Sequence, residues 1–582
     1  MTREPGSPRL SLDRRYLAPA LVTLLGGLFT LVVAVHVFPH HSLNDDEGVY
    51  LTQAAMLADG HLFVRPGPLA GLVRPWFFVA AEQAGDLALY SKYTPPTAAF
   101  LAPFVALGVP RLALGLVGAG VAGVTYGLAV RAFDRRTGVV AALLLVGSPL
   151  YLFTTGVFLS YAPATLLNGG FALAYLRATD VGSRRLAAFA GVLAGLAFFT
   201  RPYTAVLFSL PFVCHALLTL YRVDSWRGRS VPIVVAAGGV VGVTATLGYN
   251  ILVTGAPLTF PYQVFAPADG LGFGQHRLLE YEETYTPVLA AQTTVENLGL
   301  LARFVAFGPL GICVAVVGAV LALRGRDGRP AVPLLVAVVP CVVLGEAYFW
   351  GTLNGLRNGL FELLGPYYHY DLLLPVAVFG AHGVVRTAER VRATLGAPDR
   401  SRARLAVAVL VVVAAPVAGV AEYQAVAAPY EDNRERTKDL AAAYEPTLDR
   451  EFDDAIVFHP TPYGDWTAHP FQRFRNGPDF DGDVVYVFDK GPADDWRAVD
   501  ATDRRPYRYT YRGTWEPGPG SPVDPTLAPL RVVEGPVNAT TTLGVPRGAA
   551  TASVRVETRD GYARPDAPGP YTHLTLPTAQ YL

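Results

Sequence analysis

Long apolar runs dominate the first 430 residues and constrain the fold most strongly. A bilayer core of about 30 Å requires about 20 apolar residues per helix. Eleven runs approach or exceed that length: Tyr16–Phe38, Arg111–Phe133, Gly138–Phe153, Tyr161–Leu176, Leu186–Thr200, Tyr203–Tyr221, Val231–Val253, Leu298–Leu323, Ala331–Trp350, Tyr367–Val385 and Leu405–Glu422. Charged residues make up only 16% of the chain, against about 25% in soluble proteins. We therefore predict an all-α polytopic membrane protein with about 11 transmembrane helices.

The arginines predict the orientation of these helices, because arginine-rich short loops resist translocation and stay in the cytoplasm. The arginines fall between alternate spans: Arg3, Arg9, Arg14 and Arg15; Arg131, Arg135 and Arg136; Arg177, Arg184 and Arg185; Arg222, Arg227 and Arg229; Arg324, Arg326 and Arg329; and the stretch Arg386–Arg404. This pattern predicts a multi-pass cell-membrane protein with a cytoplasmic N-terminus. Residues 39–110, 255–297 and everything after about 423 then lie outside. We interpret the short apolar stretch Thr97–Val109 as an interfacial or re-entrant helix.

The tail differs in character from the apolar module of residues 1–429. Short β-prone runs alternate with Pro, Gly and Asp clusters: Ala455–Phe458, Asp483–Phe488, Tyr507–Tyr511, Leu530–Val533 and Ala552–Glu557. They predict an extracellular β-rich domain over 430–570. Asn538 begins an N-glycosylation triplet there. Residues 571–582 resemble a translated sequencing adapter and receive no physical interpretation. Only three of the 47 basic residues are lysine, which favours a salt-adapted source, such as a haloarchaeon, or a GC-rich genome.

Three consecutive acids, Asp45, Asp46 and Glu47, follow the first predicted span. One interpretation is a solvated loop whose acids cap a helix over 48–58. The other is a catalytic loop, because a general base at the outer face sits where a water-borne acceptor meets a lipid-borne donor. The residues alone leave both interpretations open.

Four short motifs carry a resemblance to a known family. They are Asp46-Glu47-x-x-Tyr50 with a helix ending in Ala58-Asp59-Gly60, then Lys92-Tyr93-Thr94-Pro95-Pro96, GLAFFTRP over Gly195–Pro202, and GPYYHYDLLLP over Gly365–Pro375. In this order, after an N-terminal span, they resemble the GT-C membrane glycosyltransferases of the protein O-mannosyltransferase and aminoarabinose transferase type (glycosyltransferase family 39-like). The resemblance covers about Leu17 to Val385.

The resemblance implies transfer of a sugar from a polyprenyl (dolichyl) phosphate-linked donor to a protein or glycan acceptor outside the cell. Asp46 would be the catalytic base, Glu47 would orient the acceptor or a helix end, and Asp45 has no assigned role. Lys92 and Arg201 would bind the donor phosphate, since a departing phosphodiester needs positive charge nearby. The competing interpretation is that both cations extend to lipid headgroups.

Two departures from the family pattern leave contacts open. No acid lies between Asp134 and Asp180, where the family often has a second carboxylate, and the loop there offers Ser160 and Tyr161 instead. The late Arg-Tyr of the family is replaced by Tyr367-Tyr368-His369, of which His369 would be the donor to phosphate.

No cofactor and no metal are expected. His40, His41, His276 and the acids of the first loop could converge outside, but nothing fixes their spacing to a coordination geometry. Nucleic acid is not an expected partner, because no long basic cluster with interleaved aromatics occurs.

Two other classes of protein remain as alternatives. A transporter or flippase for a lipid-linked saccharide would use ionisable residues in the membrane, of which Glu346 and Glu362 are the main late candidates. No clear internal repeat supports that class. A non-catalytic envelope protein displaying the tail would leave the crowded acids without a purpose.

Overall fold

The computed structural model describes residues 14–83, 85–278, 281–325, 329–396, 401–448, 450–460, 472–512, 523–532 and four short strands between 552 and 567. Asn538 and residues 571–582 lie outside the described residues, so the glycosylation triplet and the adapter interpretation stay predictions. Helices build most of the described chain, and a small sheet region follows them. This is the predicted fold class of a polytopic helical protein with a β-rich C-terminal region.

Long apolar helices form the first half of the bundle. In chain order they and the shorter helices among them are α1 (Arg14–His36), α2 (Asp46–Ala58), α3 (Pro96–Ala106), α4 (Pro110–Ala132), α5 (Arg135–Gly147), α6 (Pro149–Thr155), α7 (Tyr161–Val181), α8 (Arg184–Thr200), α9 (Pro202–Arg222), α10 (Trp226–Thr254) and α11 (Pro261–Phe265). At 11 residues, α3 is too short to span a bilayer, as an interfacial helix would be.

The second half contains more breaks. Its helices are α12 (Pro287–Arg303), α13 (Pro309–Arg324), α14 (Ala331–Ala347), α15 (Gly351–Arg357), α16 (Leu360–Leu364), a 3₁₀ turn (Tyr367–Leu372), α17 (Leu373–Gly396) and α18 (Ser401–Leu448). Within the described residues, five stretches are long and apolar enough to cross a membrane, or up to seven if two sharply bent pairs each count as one span. The chain is therefore a multi-pass membrane protein, and the count of eleven spans stays a prediction.

Breaks in apolar runs correct three predicted boundaries. The predicted span Leu298–Leu323 is two helices, α12 and α13, separated where Gly308 takes a positive φ of 59° directly before Pro309. The predicted spans Gly138–Phe153 and Ala331–Trp350 each bend, by 63° between α5 and α6 and by 78° between α14 and α15. Apolarity continued through each break, so hydropathy alone did not reveal it.

Close glycine packing fixes the position of α8 along its axis relative to α10. Gly191 and Gly195 of α8 face Gly238 and Gly242 of α10 so closely that a Cβ atom at Gly242 would overlap the backbone of Gly195. Small residues four apart let helix backbones approach and pack without side chains between them. This contact holds the end of α8, which precedes Arg201.

Two hairpins lie in the predicted external loops. β1 (Phe78–Gln83) pairs with β2 (Asp86–Ser91), and β3 (Gly274–Leu278) pairs with β4 (Tyr281–Tyr285), both antiparallel. The first hairpin leads directly into Lys92 and Tyr93, so its register sets the position of both side chains.

The tail contains a four-stranded sheet with one crossover helix. Its elements are β5 (Ala455–Pro460), β6 (Val484–Asp489), α19 (Pro492–Thr502), β7 (Arg505–Arg512) and β8 (Asp524–Pro529). The strand order is β6-β5-β7-β8, with β5 parallel to β6 and β7, and β8 antiparallel to β7. The strand predicted at Leu530–Val533 is therefore misplaced, because the pairing with β7 ends at Pro529.

Smaller pieces complete the described tail. Antiparallel pairs join β9 (Ala552–Ser553) to β12 (Asp566–Ala567) and β10 (Val556–Thr558) to β11 (Gly561–Ala563). Upstream, α18 runs unbroken to Leu448, so the boundary predicted at residue 430 lies inside a helix. The C-terminal half of α18 packs on the membrane module, where Thr437 Oγ1 donates to the Val37 carbonyl at 2.5 Å.

Candidate active site

Two of the three adjacent acids lie in the first turn of α2, and the third directly precedes the helix. The helix begins at Asp46, whose backbone N–H donates to Asn44 Oδ1 at 3.0 Å. Asp45 occupies the N-cap position but makes no capping hydrogen bond with its side chain. Most of α2 is buried. The acids therefore do not form a solvated capping loop.

Asp46 forms an ion pair with Lys92. Lys92 Nζ lies 2.8 Å from Asp46 Oδ1, and the Tyr93 hydroxyl donates to Asp46 Oδ2 at 2.7 Å. The Asp46 side chain is 15% exposed, whereas that of Lys92 is 5% exposed. Burial and the nearby carboxylate keep Tyr93 protonated, since both raise the pKa of its hydroxyl. A carboxylate with both oxygens held and one side open is suited to receive a proton from a bound ligand.

Aromatic rings surround the Lys92 ammonium. Its Nζ atom lies 3.9 Å from the ring centroid of Phe77, 4.7 Å from that of Phe265 and 5.5 Å from that of Tyr262. Ring faces attract a cation, and more strongly when water is excluded. Lys92 therefore points into the protein rather than to lipid headgroups.

Arg201 joins the same cluster through hydroxyl groups. Its Nη1 donates to Ser160 Oγ at 2.9 Å, and its Cζ lies 4.1 Å from the ring centroid of Tyr161. The Tyr50 hydroxyl donates to the same Ser160 oxygen at 2.8 Å, and the Tyr50 ring stacks on Tyr93 at 4.8 Å. These contacts link Arg201 to the tyrosine that holds Asp46.

Glu47 and Asp45 face away from that cluster. Glu47 accepts hydrogen bonds from the Ser42 backbone N–H at 2.6 Å, the Ser42 hydroxyl at 2.5 Å and the Phe158 N–H at 2.9 Å. Burial raises the pKa of Glu47, while these hydrogen bonds oppose the rise. Asp45 is buried and accepts from Trp76 Nε1 at 3.2 Å. Both side chains hold the loop in place.

His369 is not brought to the cluster. It is buried, and its Nδ1 lies 3.0 Å from Asn297 Nδ2 of α12. Its neighbours Tyr367 and Tyr368 instead pack on Tyr161, with ring centroids 4.5 and 5.5 Å away. The sequence did not single out these two tyrosines for a role, although the run Tyr367–Tyr370 was a visible signal.

Within the described part of the chain, no group of three or more His, Cys, Asp or Glu side chains could hold a metal ion. His41 lies between the Ser42 carbonyl and the Tyr444 hydroxyl, each 2.6 Å from a ring nitrogen. The Nδ1–H therefore donates to the carbonyl and Nε2 accepts from the hydroxyl. His276, in the loop between α10 and α12, stacks on Trp350. The prediction that no metal is required stays a prediction.

A cleft separates α2 from the tail domain. It is shallow, with a volume of about 50 Å³ that water-sized molecules can occupy. Residues from both sides line it, including Gly48 and Thr52 of α2, Trp76 of the first loop, and Gln472 and Asn476 of the tail. Gln472 Nε2 donates to the Ser42 carbonyl at 3.3 Å at its edge. The cleft therefore borders the helix that carries Asp46.

Solved structures define the class of this fold. ArnT from Cupriavidus metallidurans bound to undecaprenyl phosphate is similar over 84% of this chain and 92% of its own, with 13% identity and a TM-score of 0.50. The apo oligosaccharyltransferase of Archaeoglobus fulgidus is similar over 86% of this chain and 70% of its own, with 12% identity and a TM-score of 0.46. The chain has a GT-C-like fold.

Sequence comparisons match only the tail of the chain. Residues 455–578 match a family described as a domain of unknown function, DUF7846. No curated protein matches this chain. The site must therefore be interpreted from its own geometry.

Proposed function

We propose that this protein is a membrane glycosyltransferase that moves a sugar from a polyprenyl phosphate carrier, such as dolichyl phosphate, to a protein or glycan acceptor outside the cell. The observation that carries the proposal is the Asp46 carboxylate, paired with Lys92 and linked to Arg201 on a GT-C-like fold. The similar ArnT structure is bound to undecaprenyl phosphate. The alternating arginine loops support a cytoplasmic N-terminus and an external tail.

Asp46 acts as the general base in this proposal. It takes the proton of the acceptor hydroxyl as that oxygen attacks the anomeric carbon of the donor sugar. The bond between the anomeric carbon and the phosphate oxygen breaks at the same time, and its electron pair leaves with the polyprenyl phosphate. Attack from the side opposite the phosphate inverts the anomeric centre. A positioned base contributes about 10²- to 10⁴-fold to such a step.

Lys92 and Arg201 stabilise the leaving phosphate. Two cations near one outer pocket offset the negative charge that develops on the departing group. Lys92 faces both the Asp46 carboxylate and the donor phosphate in this scheme, so an arriving donor competes with Asp46 for the ammonium. Tyr93 keeps its hydrogen bond to the second carboxylate oxygen during that exchange.

The tail domain contributes to acceptor binding in this proposal. The cleft beside α2 has aromatic and amide side chains at its wall, which suit peptide or sugar groups. Asn538 is proposed as a glycan attachment site of the same domain.

The test is transfer of radiolabelled sugar from dolichyl phosphate mannose and dolichyl phosphate glucose in membranes with matched amounts of protein. Asp46→Asn is expected to lower transfer at least about 100-fold. Asp59→Asn is the matched control, since Asp59 lies exposed at the other end of α2. Equal transfer by Asp46→Asn would exclude Asp46 as the base, and no transfer by the wild type with either donor would favour the transporter.

A further inference from the structure

Glu346 is a buried acid at the end of α14, a predicted membrane span. Its side chain is 2% exposed, and its Oε2 atom has no hydrogen-bond partner among the described residues. An ionisable group buried at membrane depth without a partner costs several kcal/mol. Such residues in membrane helices usually serve a ligand or ion.

The backbone around Glu346 is held firmly. The Tyr203 hydroxyl donates to the Gly345 carbonyl at 2.5 Å, and the Tyr285 hydroxyl donates to the Ala347 carbonyl at 3.0 Å. Tyr203 lies in the first turn of α9, two residues after Arg201. These contacts place the backbone around Glu346 beside the start of α9, next to Arg201, and the charges of both Arg201 and Asp371 act on its carboxyl group.

A second buried acid of this bundle, Asp371, has hydrogen-bond donors at both carboxyl oxygens. Asp371 accepts hydrogen bonds from the Thr165 hydroxyl and, at 3.0 Å, from Asn168 Nδ2. Both of its oxygens therefore have partners supplied by α7. Glu346 is equally buried but lacks such donors at Oε2, so its partner is expected to come from outside the chain.

Aromatic rings connect Glu346 to the candidate active site. The backbone N–H of Phe349 donates to the Glu346 carbonyl at 3.1 Å, and the Phe349 ring lies 5.2 Å from Tyr368. Tyr368 in turn packs on Tyr161, over which Arg201 lies. The backbone of Glu346 is therefore joined to the aromatic cluster of the candidate active site. Such a setting suits a sugar, since sugar hydroxyls donate to carboxyl oxygens and sugar C–H faces pack on rings.

We propose that Glu346 binds hydroxyl groups of the sugar on the lipid-linked donor, while Arg201 binds the phosphate of the same molecule. This inference rests on the proposed function and names Glu346 as its sugar-recognition residue. The sugar hydroxyls fill the acceptor capacity that the protein leaves open at Oε2.

The experiment measures binding rather than turnover. Purified wild type and Glu346→Gln are compared for affinity to dolichyl phosphate mannose, dolichyl phosphate glucose and bare dolichyl phosphate. The wild type is expected to prefer at least one sugar-bearing carrier over the bare one. Glu346→Gln is expected to reduce that preference about 10-fold or more, because the amide puts an NH2 donor in place of one carboxyl oxygen and removes an acceptor from the sugar hydroxyls, and to leave bare-carrier affinity unchanged.

Two further variants keep the test decisive. Glu362→Gln is the matched control, as Glu362 is an exposed acid nearby in sequence. Glu346→Asp keeps the carboxyl group but shortens the side chain, and it serves if Glu346→Gln does not fold. It should lose the sugar preference as well.

These measurements distinguish a failure of the Glu346 inference from a failure of the proposed transferase function. If Glu346→Gln weakens bare dolichyl phosphate as much as the sugar-bearing carriers, Glu346 merely orients Arg201 and the inference fails. It also fails if the wild type shows no preference for either sugar. If the preference depends on Glu346 but labelled sugar is never transferred, the sugar site stands while the proposed transferase function fails.

Discussion

Asp46 and Glu47 are adjacent carboxylates in one helical turn, yet their surroundings differ completely. Asp46 meets a lysine and a tyrosine and stays partly open, whereas Glu47 is enclosed by donors from Ser42 and Phe158. Successive residues of a helix point about 100° apart, so neighbours meet different partners. We call these the pocket face and the packed face of α2. We expect the pocket face to take part in the reaction and the packed face to stabilise the fold.

After Asp46→Asn, Lys92→Met gives the largest expected effect on the pocket face. Loss of a group that stabilises developing charge typically lowers turnover 10²- to 10³-fold, roughly. Steady-state transfer with varied donor concentration would measure kcat and KM. Lys438→Met is the control, because Lys438 is exposed on α18. Unchanged transfer by Lys92→Met would mean that the pocket face is not the active site.

Glu47→Gln tests the packed face. The amide can replace only part of the acceptor capacity, so one N–H donor loses its partner, at a cost of about 1–3 kcal/mol in the free energy of unfolding. Thermal unfolding in detergent would measure the loss. Transfer per folded molecule should stay near the wild-type value, and a selective loss of transfer would show that Glu47 takes part in the chemistry.

The same variant should change the pH dependence of stability. Burial raises the pKa of Glu47 in the folded protein, so the folded state favours the protonated form. The contribution of this group is fully present below the usual Glu pKa and is lost as the pH rises through the raised value. Unfolding curves of Glu47→Gln across this window should lack that decline, and an identical slope would contradict the assignment.

Tyr93→Phe is expected to have a smaller effect on the pocket face. It removes one hydrogen bond to Asp46 but leaves the ion pair with Lys92 in place, so transfer should fall by about 10-fold. Tyr90→Phe is the control on the same hairpin. Donor affinity should be unchanged, and a loss confined to KM would assign Tyr93 to substrate binding instead.

His41 gives the smallest expected effect and lies beside Ser42 on the packed face. Burial lowers the pKa of His41 to about 3, and the neutral ring accepts from Tyr444. Its stabilising contribution is present above the ordinary His pKa of about 6.5 and is lost as the pH falls toward the folded value. The contribution of His41 is therefore expected to lower the Tm by a few degrees at pH 5 relative to pH 7, opposite in sign to that of Glu47. His41→Gln should reduce this difference, whereas Tyr444→Phe should retain the buried ring and the difference.

The sequence predicted the pocket face better than the packed one. The structure brings Asp46, Lys92 and Arg201 into one cluster, and each was singled out because it belongs to a short motif whose order carried the resemblance; their roles stay predictions. The neighbour of a motif residue was less predictable. His369 was chosen from a run of four polar aromatics, but rotation within the 3₁₀ turn directs Tyr367 and Tyr368, not His369, toward Tyr161.

The fold shows a similar division. Apolar runs predicted membrane helices well, because burial in lipid requires apolar length. They did not predict the break before Pro309 or the bend after Ala347, since apolar residues continue through both. The significance of Glu346 also depended on structure, because its Oε2 atom has no hydrogen-bond partner among the described residues, whereas both oxygens of Asp371 have one.

The length of α18 determines how far the tail domain lies from the membrane module. Its 48 residues span about 72 Å at 1.5 Å per residue, more than twice the thickness of a bilayer core. Each residue inserted between the membrane part and Tyr444 would lift the sheet by about 1.5 Å and rotate it by about 100°. Seven inserted residues would nearly restore the facing direction yet raise the domain by about 10 Å. The number of residues in α18 therefore sets the distance between Asp46 and the tail domain.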